Sequence, residues 1–360
     1  MAENSPLQAI HERHGARFAE LHGRLVPRNY GDAGAEYAAV RERAGVADRW
    51  DRALIRVYGR DPLRMIQGLI TNDLAGAPSG QGVYAAFLTA KGKMVADLRA
   101  FRRPDGDIVL ELDVGALENA MEHLRKFVPP LFARFEAWEA AGVLGVYGPA
   151  SREMVERALG IQVPADLREE GFVTVDVDGG GALVARTLEY GEDGYDLILP
   201  TDALEGVWES LVEAGARPVG YAALDVLRIE AGRPRWGAEL DESVIPLEAG
   251  LRDRAISQTK GCYTGQEVII RILHRGHVNR HLRGVKLGDA PAPAAGTELF
   301  PPGGEKAVGR ITSACHSPLH EQTIALAYVR REVEPPAELR LGAPDGAVAR
   351  VFELPIPIEL

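Results

Sequence analysis

The octapeptide KGCYTGQE, residues 260–267, has the clearest potential for chemistry in the chain. It contains Cys262, one of only two cysteines among 360 residues, close to Lys260 and between two glycines. A nearby ammonium group and a helix N-terminus both stabilise a thiolate. Thr264 and Glu267 have the spacing of a capping box, and apolar residues at helical spacing follow them. The pattern predicts a reactive Cys262 just before a helix; alternatively, the position only requires a small side chain.

Positive charge is concentrated around this octapeptide. Between residues 251 and 286, eight lysines and arginines face two acidic residues, although acidic residues outnumber basic ones by 52 to 41 in the whole chain. The net charge of −11 argues against a protein that coats nucleic acid, so no direct nucleic-acid partner is expected. The local basic segment can serve a partner protein or an acidic ligand.

Two aspartates are candidate ligand-binding carboxylates. Asp97, in TAKGKMVADL, projects from an otherwise apolar strand, where a carboxylate can accept a proton or bind an amine-rich heterocycle. It could equally be an edge charge, and Asp196 in GEDGYDL presents the same alternatives. Arg228, in RIEAGRPRWGAEL, could reach a polar ligand, but a solvated surface position is the simpler interpretation.

Other classes of site and location find little support in the sequence. His274, His277 and His281 lack a cysteine at ligand spacing, and Gly276 interrupts their helix, so no metal site is expected. Phosphate-loop and dinucleotide motifs are absent. The first residues carry no apolar signal, and no later segment reaches about 18 uninterrupted apolar residues. We therefore expect a cytoplasmic protein with no membrane partner.

A strand followed by a helix is predicted twice. RALIRVYG reads as a strand, and Asp61 and Pro62 have the residue types that start a helix. The Val-Tyr-Gly of residues 57–59 reappears at 146–148, again before a helical pattern. The match indicates two related lobes, or it is a chance similarity. Earlier in the chain, GAEYAAVRERAGVAD predicts a helix that ends near Gly45.

The remaining pattern indicates an α+β fold. Alternating apolar residues around glycine-rich turns predict antiparallel hairpins at 82–113 and 171–200, and a helical segment follows each. Locally paired strands with helices after them indicate α+β rather than a doubly wound parallel sheet. Short strand-like runs near the end predict a β-barrel or β-sandwich. We expect two α+β lobes in residues 1–275 and a C-terminal barrel domain in residues 276–360.

Together these motifs resemble the YgfZ-type folate-binding proteins, relatives of the glycine cleavage T-protein (aminomethyltransferase). The resemblance rests on KGCYTGQE, on the preceding RIEAGRPRWGAEL and PLEAGL, and on GLITNDL, KGKMVADL, EYGEDGYDLILP and VGRITSACHSP in family order. It implies a three-domain cloverleaf of two α+β lobes and a C-terminal β-barrel. It also implies that tetrahydrofolate binds in residues 1–275.

The resemblance also assigns roles to individual residues. Asp97 matches the aspartate beside the reactive folate nitrogens, Asp196 the acid that grips the pterin, and Arg228 the arginine near the glutamate tail. Lys260 and Tyr263, within the octapeptide, are further expected folate contacts. The octapeptide's cysteine, Cys262, belongs to the YgfZ-type signature and not to the T-protein.

Two functions follow from the resemblance. The first is a folate-binding factor that supports assembly or repair of iron-sulfur enzymes, including tRNA-modifying ones, with iron-sulfur client or assembly proteins as partners and Cys262 as the reactive group. The alternative is an aminomethyltransferase that moves a one-carbon unit to tetrahydrofolate with Asp97 as its catalytic residue. Ala96 replaces the first of the T-protein's paired aspartates and Glu189 replaces a tyrosine, which favours the first function.

Overall fold

The computed structural model describes residues 2–358, which form two compact units. The first unit consists of the chain up to Leu88, Val95–Leu224 and Ala255–Thr264. The second consists of Thr89–Met94, Asp225–Arg254 and the chain from Gly265 onward. The domain boundary predicted after residue 275 lies within the second unit.

Three β-sheets form the framework of the first unit. Its strands are, in chain order, β1 (Glu3–Asn4), β2 (Arg17–Leu21), β3 (Arg24–Asn29), β4 (Gly45–Asp48), β5 (Arg52–Gly59), β6 (Val83–Leu88), β7 (Met94–Arg102), β8 (Ile108–Asp113), β9 (Ala133–Ala137), β10 (Ala141–Tyr147), β11 (Phe172–Val177), β12 (Gly180–Thr187), β13 (Gly194–Pro200) and β14 (Arg217–Pro218). They form sheets of order β1-β3-β2, β6-β7-β8-β5-β9 and β11-β12-β13-β10-β4-β14. The predicted hairpins correspond to β6–β8 and β11–β13, so the α+β fold class is confirmed.

The helices are short and amphipathic. They are α1 (Gln8–Arg13), α2 (Ala33–Glu42), α3 (Pro62–Gln67), α4 (Leu117–Phe127), α5 (Ser151–Leu159), α6 (Leu204–Ala214), α7 (Tyr221–Glu230), α8 (Arg252–Ala255) and α9 (Gln266–Arg275). In the first unit, α5 packs on β10 and β13 and α6 packs on β10 and β4; Met154 and Trp208 are fully buried in that layer. Burial of these apolar faces, more than helix propensity, stabilises such short helices.

A strand, a glycine with positive φ and a helix recur at two places in the first unit. Strand β5 ends at Gly59 (φ +121°) and leads to α3, which the side chain of Asp61 caps. Strand β10 leads through Gly148 (φ +126°) to α5. A Cβ atom on Gly148 would lie 2.5 Å from the carbonyl oxygen of Val40, so only glycine fits this turn. The predicted recurrence is therefore present in the backbone.

Strand β7 positions the polar side chains of the candidate site. Side chains alternate between the faces of a strand, so Asp97 and Arg99 share one face while Leu98 and Ala100 share the other. All of them are buried. Glu111 of β8 lies directly opposite Arg99 in the antiparallel register. The hairpin thus places two acids and an arginine inside the unit.

The second unit contains a closed barrel of six strands. They are β15 (Arg280–Gly288), β16 (Glu298–Phe300), β17 (Gly309–Ser317), β18 (Gln322–Arg330), β19 (Ala337–Leu341) and β20 (Val348–Phe352), arranged in the closed order β15-β18-β17-β16-β19-β20. Inward-facing Val285, Ile311 and Val351 are fully buried in its core. Closure leaves no strand edge unpaired. The predicted C-terminal β-barrel is confirmed.

Two local predictions were wrong. Helix α2 ends at Glu42, and the apolar residues up to Asp48 form strand β4, which pairs with β10. A short apolar run is compatible with the spacing of a helix and with that of a strand. Here the run forms a strand because it pairs with a buried sheet. Thr264 does not cap α9: the N-cap is Gly265 (φ +82°), and the N–H of Thr264 donates to the carbonyl of Gly68 at 3.2 Å.

We expect Gly148→Ala to lower the free energy of unfolding by about 2–4 kcal/mol, because the methyl group collides with the backbone and the positive φ disfavours alanine. Gly206→Ala, inside α6 with no atom within 4 Å of the added Cβ, is the matched control and should stabilise by about 0.5–1 kcal/mol. Urea denaturation measures both. An unchanged midpoint for Gly148→Ala would show that the turn tolerates a side chain.

Candidate functional site

Asp97 is a buried carboxylate with one oxygen unused. Its Oδ2 accepts a hydrogen bond from the Tyr84 hydroxyl at 2.9 Å, whereas Oδ1 is buried and has no hydrogen-bond partner within residues 2–358. Burial raises the pKa of Asp97 to about 6, although the Arg52 guanidinium and the Tyr84 hydrogen bond act in the opposite direction. An unpaired buried oxygen is costly and rare, so Asp97 is the strongest candidate for ligand contact.

Glu111 and two arginines lie in the same buried region. The Nε atoms of Arg52 and Arg99 donate to the two carboxylate oxygens of Glu111 at 2.8 and 2.7 Å. Burial alone would raise the pKa of Glu111, but the guanidinium groups of Arg99 and Arg52 outweigh it and hold the pKa below its usual range. Glu111 is therefore a charged structural partner and offers no free oxygen to a ligand.

Asp196, the acid expected to grip the pterin, is held by neighbouring side chains. The Tyr147 hydroxyl donates to its Oδ1 at 2.6 Å, and Nη1 of Arg99 lies 2.8 Å from its Oδ2. Burial raises the pKa of Asp196, and Arg99 opposes that shift. Both carboxylate oxygens thus have protein partners. The pterin contact stays a prediction for Asp196.

Arg228 lies in the second unit, at the end of α7. Its guanidinium contacts Oδ1 of Asp225 at 2.6 Å, Oε2 of Glu239 at 2.9 Å and the hydroxyl of Ser313 at 2.7 Å. Ser313 belongs to β17, so Arg228 ties α7 to the barrel within this unit. Its expected contact with a glutamate tail stays a prediction.

Lys260 anchors the octapeptide to the loop after α3. Its Nζ donates to the carbonyl oxygens of Gln67 and Ile70 at 2.6 Å each and of Asn72 at 3.0 Å. Burial lowers the pKa of Lys260 to about 8, and Asp73 opposes that shift. The observed partners of the ammonium group are therefore backbone carbonyls. Its expected effects on a Cys262 thiolate and on folate stay predictions.

Tyr263 and Cys262 point into different surroundings. Tyr263 is buried, its ring centroid is 5.1 Å from the Nζ of Lys260, and its hydroxyl has no hydrogen-bond partner in the described part of the chain. Burial raises the pKa of Tyr263 to about 12. Cys262 is exposed with a free thiol, whereas burial raises the pKa of the second cysteine, Cys315, to about 12. Cys262 is thus the accessible cysteine.

The structure places five of the six predicted residues in one unit. Asp97, Asp196, Lys260, Cys262 and Tyr263 all belong to the first unit, and Arg228 belongs to the second.

In residues 2–358 no three His, Cys, Asp or Glu side chains are grouped so that they could hold a metal ion. Across the same residues no helix is long and apolar enough to cross a membrane.

Two domain models of one protein family match this chain, one in its N-terminal part and one in its C-terminal part. The GCVT N-terminal domain model matches residues 7–260, and the glycine cleavage T-protein C-terminal barrel domain model matches residues 280–355. The chain belongs to the glycine cleavage T-protein family. This confirms the predicted superfamily, whereas membership of the YgfZ-type subgroup stays a prediction.

Members of the glycine cleavage T-protein family match this chain over nearly its full length. A protein named aminomethyltransferase from Rubrobacter xylanophilus is 36% identical over 92% of this chain and 88% of its own length. One of the same name from Ralstonia pickettii is 33% identical over 98% of this chain and 96% of its own. The crystal structure of aminomethyltransferase T from Bartonella henselae shares the fold, with a TM-score of 0.90, 24% identity and coverage of 99% of this chain and 98% of that one.

Sequence reasoning missed the residues around the buried acids. It did not single out Tyr84 and Arg52, which act on Asp97, or the paired Arg99 and Glu111. Arg99 and Glu111 interrupt strand sequences that are otherwise apolar. A charged residue inside a buried strand requires an opposite charge. That requirement was the available signal, but the cross-strand register that joins Arg99 to Glu111 came only from the structure.

The buried carboxyl of Asp97 should make stability depend on pH. Because its folded pKa is raised to about 6 from 3.8, the folded state binds the proton more tightly than the unfolded state between these values. The contribution of Asp97 to the free energy of unfolding therefore falls by roughly 2–3 kcal/mol as pH rises from about 4 to about 6. Asp97→Asn should flatten that part of the profile, as measured by urea denaturation at several pH values. An unchanged slope would assign the titration to another group.

Lys260→Met should lower the free energy of unfolding by about 2–3 kcal/mol, because it removes the charged donor from three carbonyl oxygens, one buried and two part-buried. Lys91→Met, at an exposed position, is the matched control and should have an effect within about 0.5 kcal/mol of zero. Denaturant titration compares the two variants. Equal stability of the two would mean that Lys260 does not anchor the octapeptide.

Proposed function

We propose that this protein binds tetrahydrofolate and transfers a one-carbon unit to it, as an aminomethyltransferase. The observation that carries the proposal is the buried Asp97 carboxyl, with its unpaired Oδ1 and a pKa near 6. Full-length similarity to proteins named aminomethyltransferase supports the same reaction class. The cytoplasmic location expected from the sequence is part of this proposal.

The unused polar atoms fit a reduced folate. Tetrahydrofolate presents several N–H donors and would supply the amine nitrogens that accept the one-carbon unit. Oδ1 of Asp97 is a buried acceptor without a donor, and the hydroxyl of Tyr263 is a second buried polar atom without a partner in the described residues. An N–H donor would satisfy the carboxylate oxygen. Asp196 and Arg228, whose polar atoms have protein partners, fit a direct contact less well.

Asp97 has the properties of a positioning and proton-holding group. The Tyr84 hydroxyl fixes Oδ2, so Oδ1 is held in one orientation for a reacting amine. A pKa near 6 lets the carboxyl accept or return a proton close to neutral pH. In its ionised form, the carboxylate stabilises positive charge that develops on the amine in the transition state. Burial excludes water and strengthens this interaction.

A second candidate function rests on Cys262. The exposed thiol lies between two buried side chains, Lys260 and Tyr263, so the loop presents the cysteine outward from an anchored base. This arrangement suits a thiol that meets a partner protein. It supports the alternative of a folate-binding factor for assembly or repair of iron-sulfur enzymes, including tRNA-modifying ones, with iron-sulfur client or assembly proteins as partners.

The two candidates predict opposite sensitivities. For the transferase, Asp97→Asn should lower kcat/KM with an aminomethylated lipoyl carrier by about 100-fold or more, since it removes the ionisable group, and Cys262→Ser should leave it unchanged. Cys315→Ser is the control for replacing a cysteine as such. For the iron-sulfur factor, Cys262→Ser should abolish recovery of a cluster-containing enzyme, and the carrier assay should show no turnover at all.

Tetrahydrofolate binding, measured by calorimetry on the same variants, separates loss of chemistry from loss of ligand. The proposal expects wild type and Cys262→Ser to bind equally and Asp97→Ala to bind at least about tenfold more weakly, because an N–H donor on the ligand loses its acceptor. Absence of binding to wild type would contradict both candidate functions.

A further inference from the structure

A cavity of about 580 Å³ opens in the first unit and is lined by none of the residues assigned above to folate or to thiol chemistry. Its walls are the segment from Leu74 to Gln81, the turn between β7 and β8, and the start of β11. The volume falls in the range of small-molecule sites in proteins. The cavity is therefore large enough for a ligand of its own.

The walls of this cavity are fixed by backbone hydrogen bonds. The N–H of Gln81 donates to the carbonyl of Pro78 at 3.1 Å, and the N–H of Phe172 donates to the carbonyl of Gly80 at 2.7 Å. The side-chain amide of Gln81 also donates to the carbonyl of Glu169 at 2.9 Å. These bonds attach the loop to β11. The cavity is thus preformed, which reduces the entropy lost when a ligand binds.

The charged lining of the cavity is entirely positive. Arg102 and Arg103 line it and no aspartate or glutamate does, although the chain as a whole is acidic. Arg102 makes no ion pair in the described part of the chain, and its side chain is exposed. Nη2 of Arg103 is 3.2 Å from Oδ2 of Asp105, whose side chain is 48% exposed. The Arg103 side chain is 17% exposed, and solvent at Asp105 screens their pair, so an anion can compete with Asp105 for Arg103, while Arg102 has no competing carboxylate.

The rest of the lining is mixed. Ser79, Gln81 and Thr174 lie beside Ala77, Pro78 and Val173. The guanidinium of Arg103 also lies 5.5 Å from the ring of Trp138, which holds it against an apolar surface. Guanidinium groups bind phosphate and carboxylate through paired N–H donors. The lining therefore suits a small ligand with an anionic group.

We propose that this cavity binds a small molecule that carries a phosphate or carboxylate group. Arg102 and Arg103 bind the anion. The site is separate from Asp97 and Cys262 and goes beyond the proposed one-carbon transfer.

Three probes that share one ring test the proposal: phenyl phosphate, benzoate and benzyl alcohol. Calorimetry at low ionic strength should detect at least one of the two anions, and the neutral alcohol should bind at least about tenfold more weakly. Binding of phenyl phosphate alone identifies a phosphate ligand; binding of benzoate as well identifies the carboxylate class. Failure of both anions to bind, or equal binding of the alcohol, would overturn the proposal.

Variants locate the binding. The double variant Arg102→Ala with Arg103→Ala should weaken anion binding at least about tenfold, whereas Arg125→Ala, which removes an exposed arginine of α4, should leave it unchanged. Asp105→Asn should tighten binding about two- to threefold, because it frees Arg103 from its competing carboxylate. The single variant Arg102→Ala, at an exposed position, covers the case in which the double variant does not fold. Unchanged affinity in both arginine variants would place the anions elsewhere and overturn the proposal.

Discussion

The ion pairs of Arg99 are the interaction on which the interior of the first unit depends. From β7, the guanidinium reaches Glu111 on β8 and Asp196 on β13, and so joins two sheets. Burying charges of this kind costs several kcal/mol for each ion unless partners and hydrogen bonds compensate. Arg52 provides a second positive charge to Glu111. Removing Arg99 alone would leave two carboxylates buried without their main partner.

This arrangement leaves Asp97 in a different position from the other buried acids. Glu111 and Asp196 have protein partners for both oxygens, whereas Oδ1 of Asp97 has none within residues 2–358. Asp113 and Glu189 add negative charge that raises the pKa of Asp97 further. A group with a raised pKa and an unused oxygen weakens the fold and is typical of a functional site. This contrast supports the proposal of transfer chemistry at Asp97.

The sequence predicted the architecture well because hairpins, turns and the barrel depend on local patterns. The strand–glycine–helix units at Gly59 and Gly148 were predicted from such patterns, and so was a C-terminal β-barrel or β-sandwich, which the structure shows to be a barrel. One prediction failed at Gly45–Asp48, where a short apolar run fits both helix and strand spacing. The other failed at Thr264, because the N-cap of α9 depends on tertiary contacts. Such choices depend on which strand or loop lies alongside, and a single sequence does not carry that information.

The candidate site was predicted only in part. Asp97 and Asp196 were recognised as polar interruptions of apolar strands. Both carboxylate oxygens of Asp196 have partners because Arg99 and Tyr147, which are distant in sequence, lie beside it. Lys260 was expected to act on Cys262, and the structure shows its ammonium group bound to backbone carbonyls. Local sequence does not specify such side-chain contacts, and the effect of Lys260 on Cys262 stays a prediction.

The most direct test of the account is the pKa of Asp97, measured by carbon-13 NMR of its carboxyl group with and without tetrahydrofolate. The account predicts an apparent pKa of about 6 in the free protein. It also predicts a lower pKa in the complex, because N–H donors at Oδ1 favour the ionised form. An ordinary aspartate pKa in the free protein, unchanged by tetrahydrofolate, would contradict the assignment of Asp97 as the group that meets the ligand.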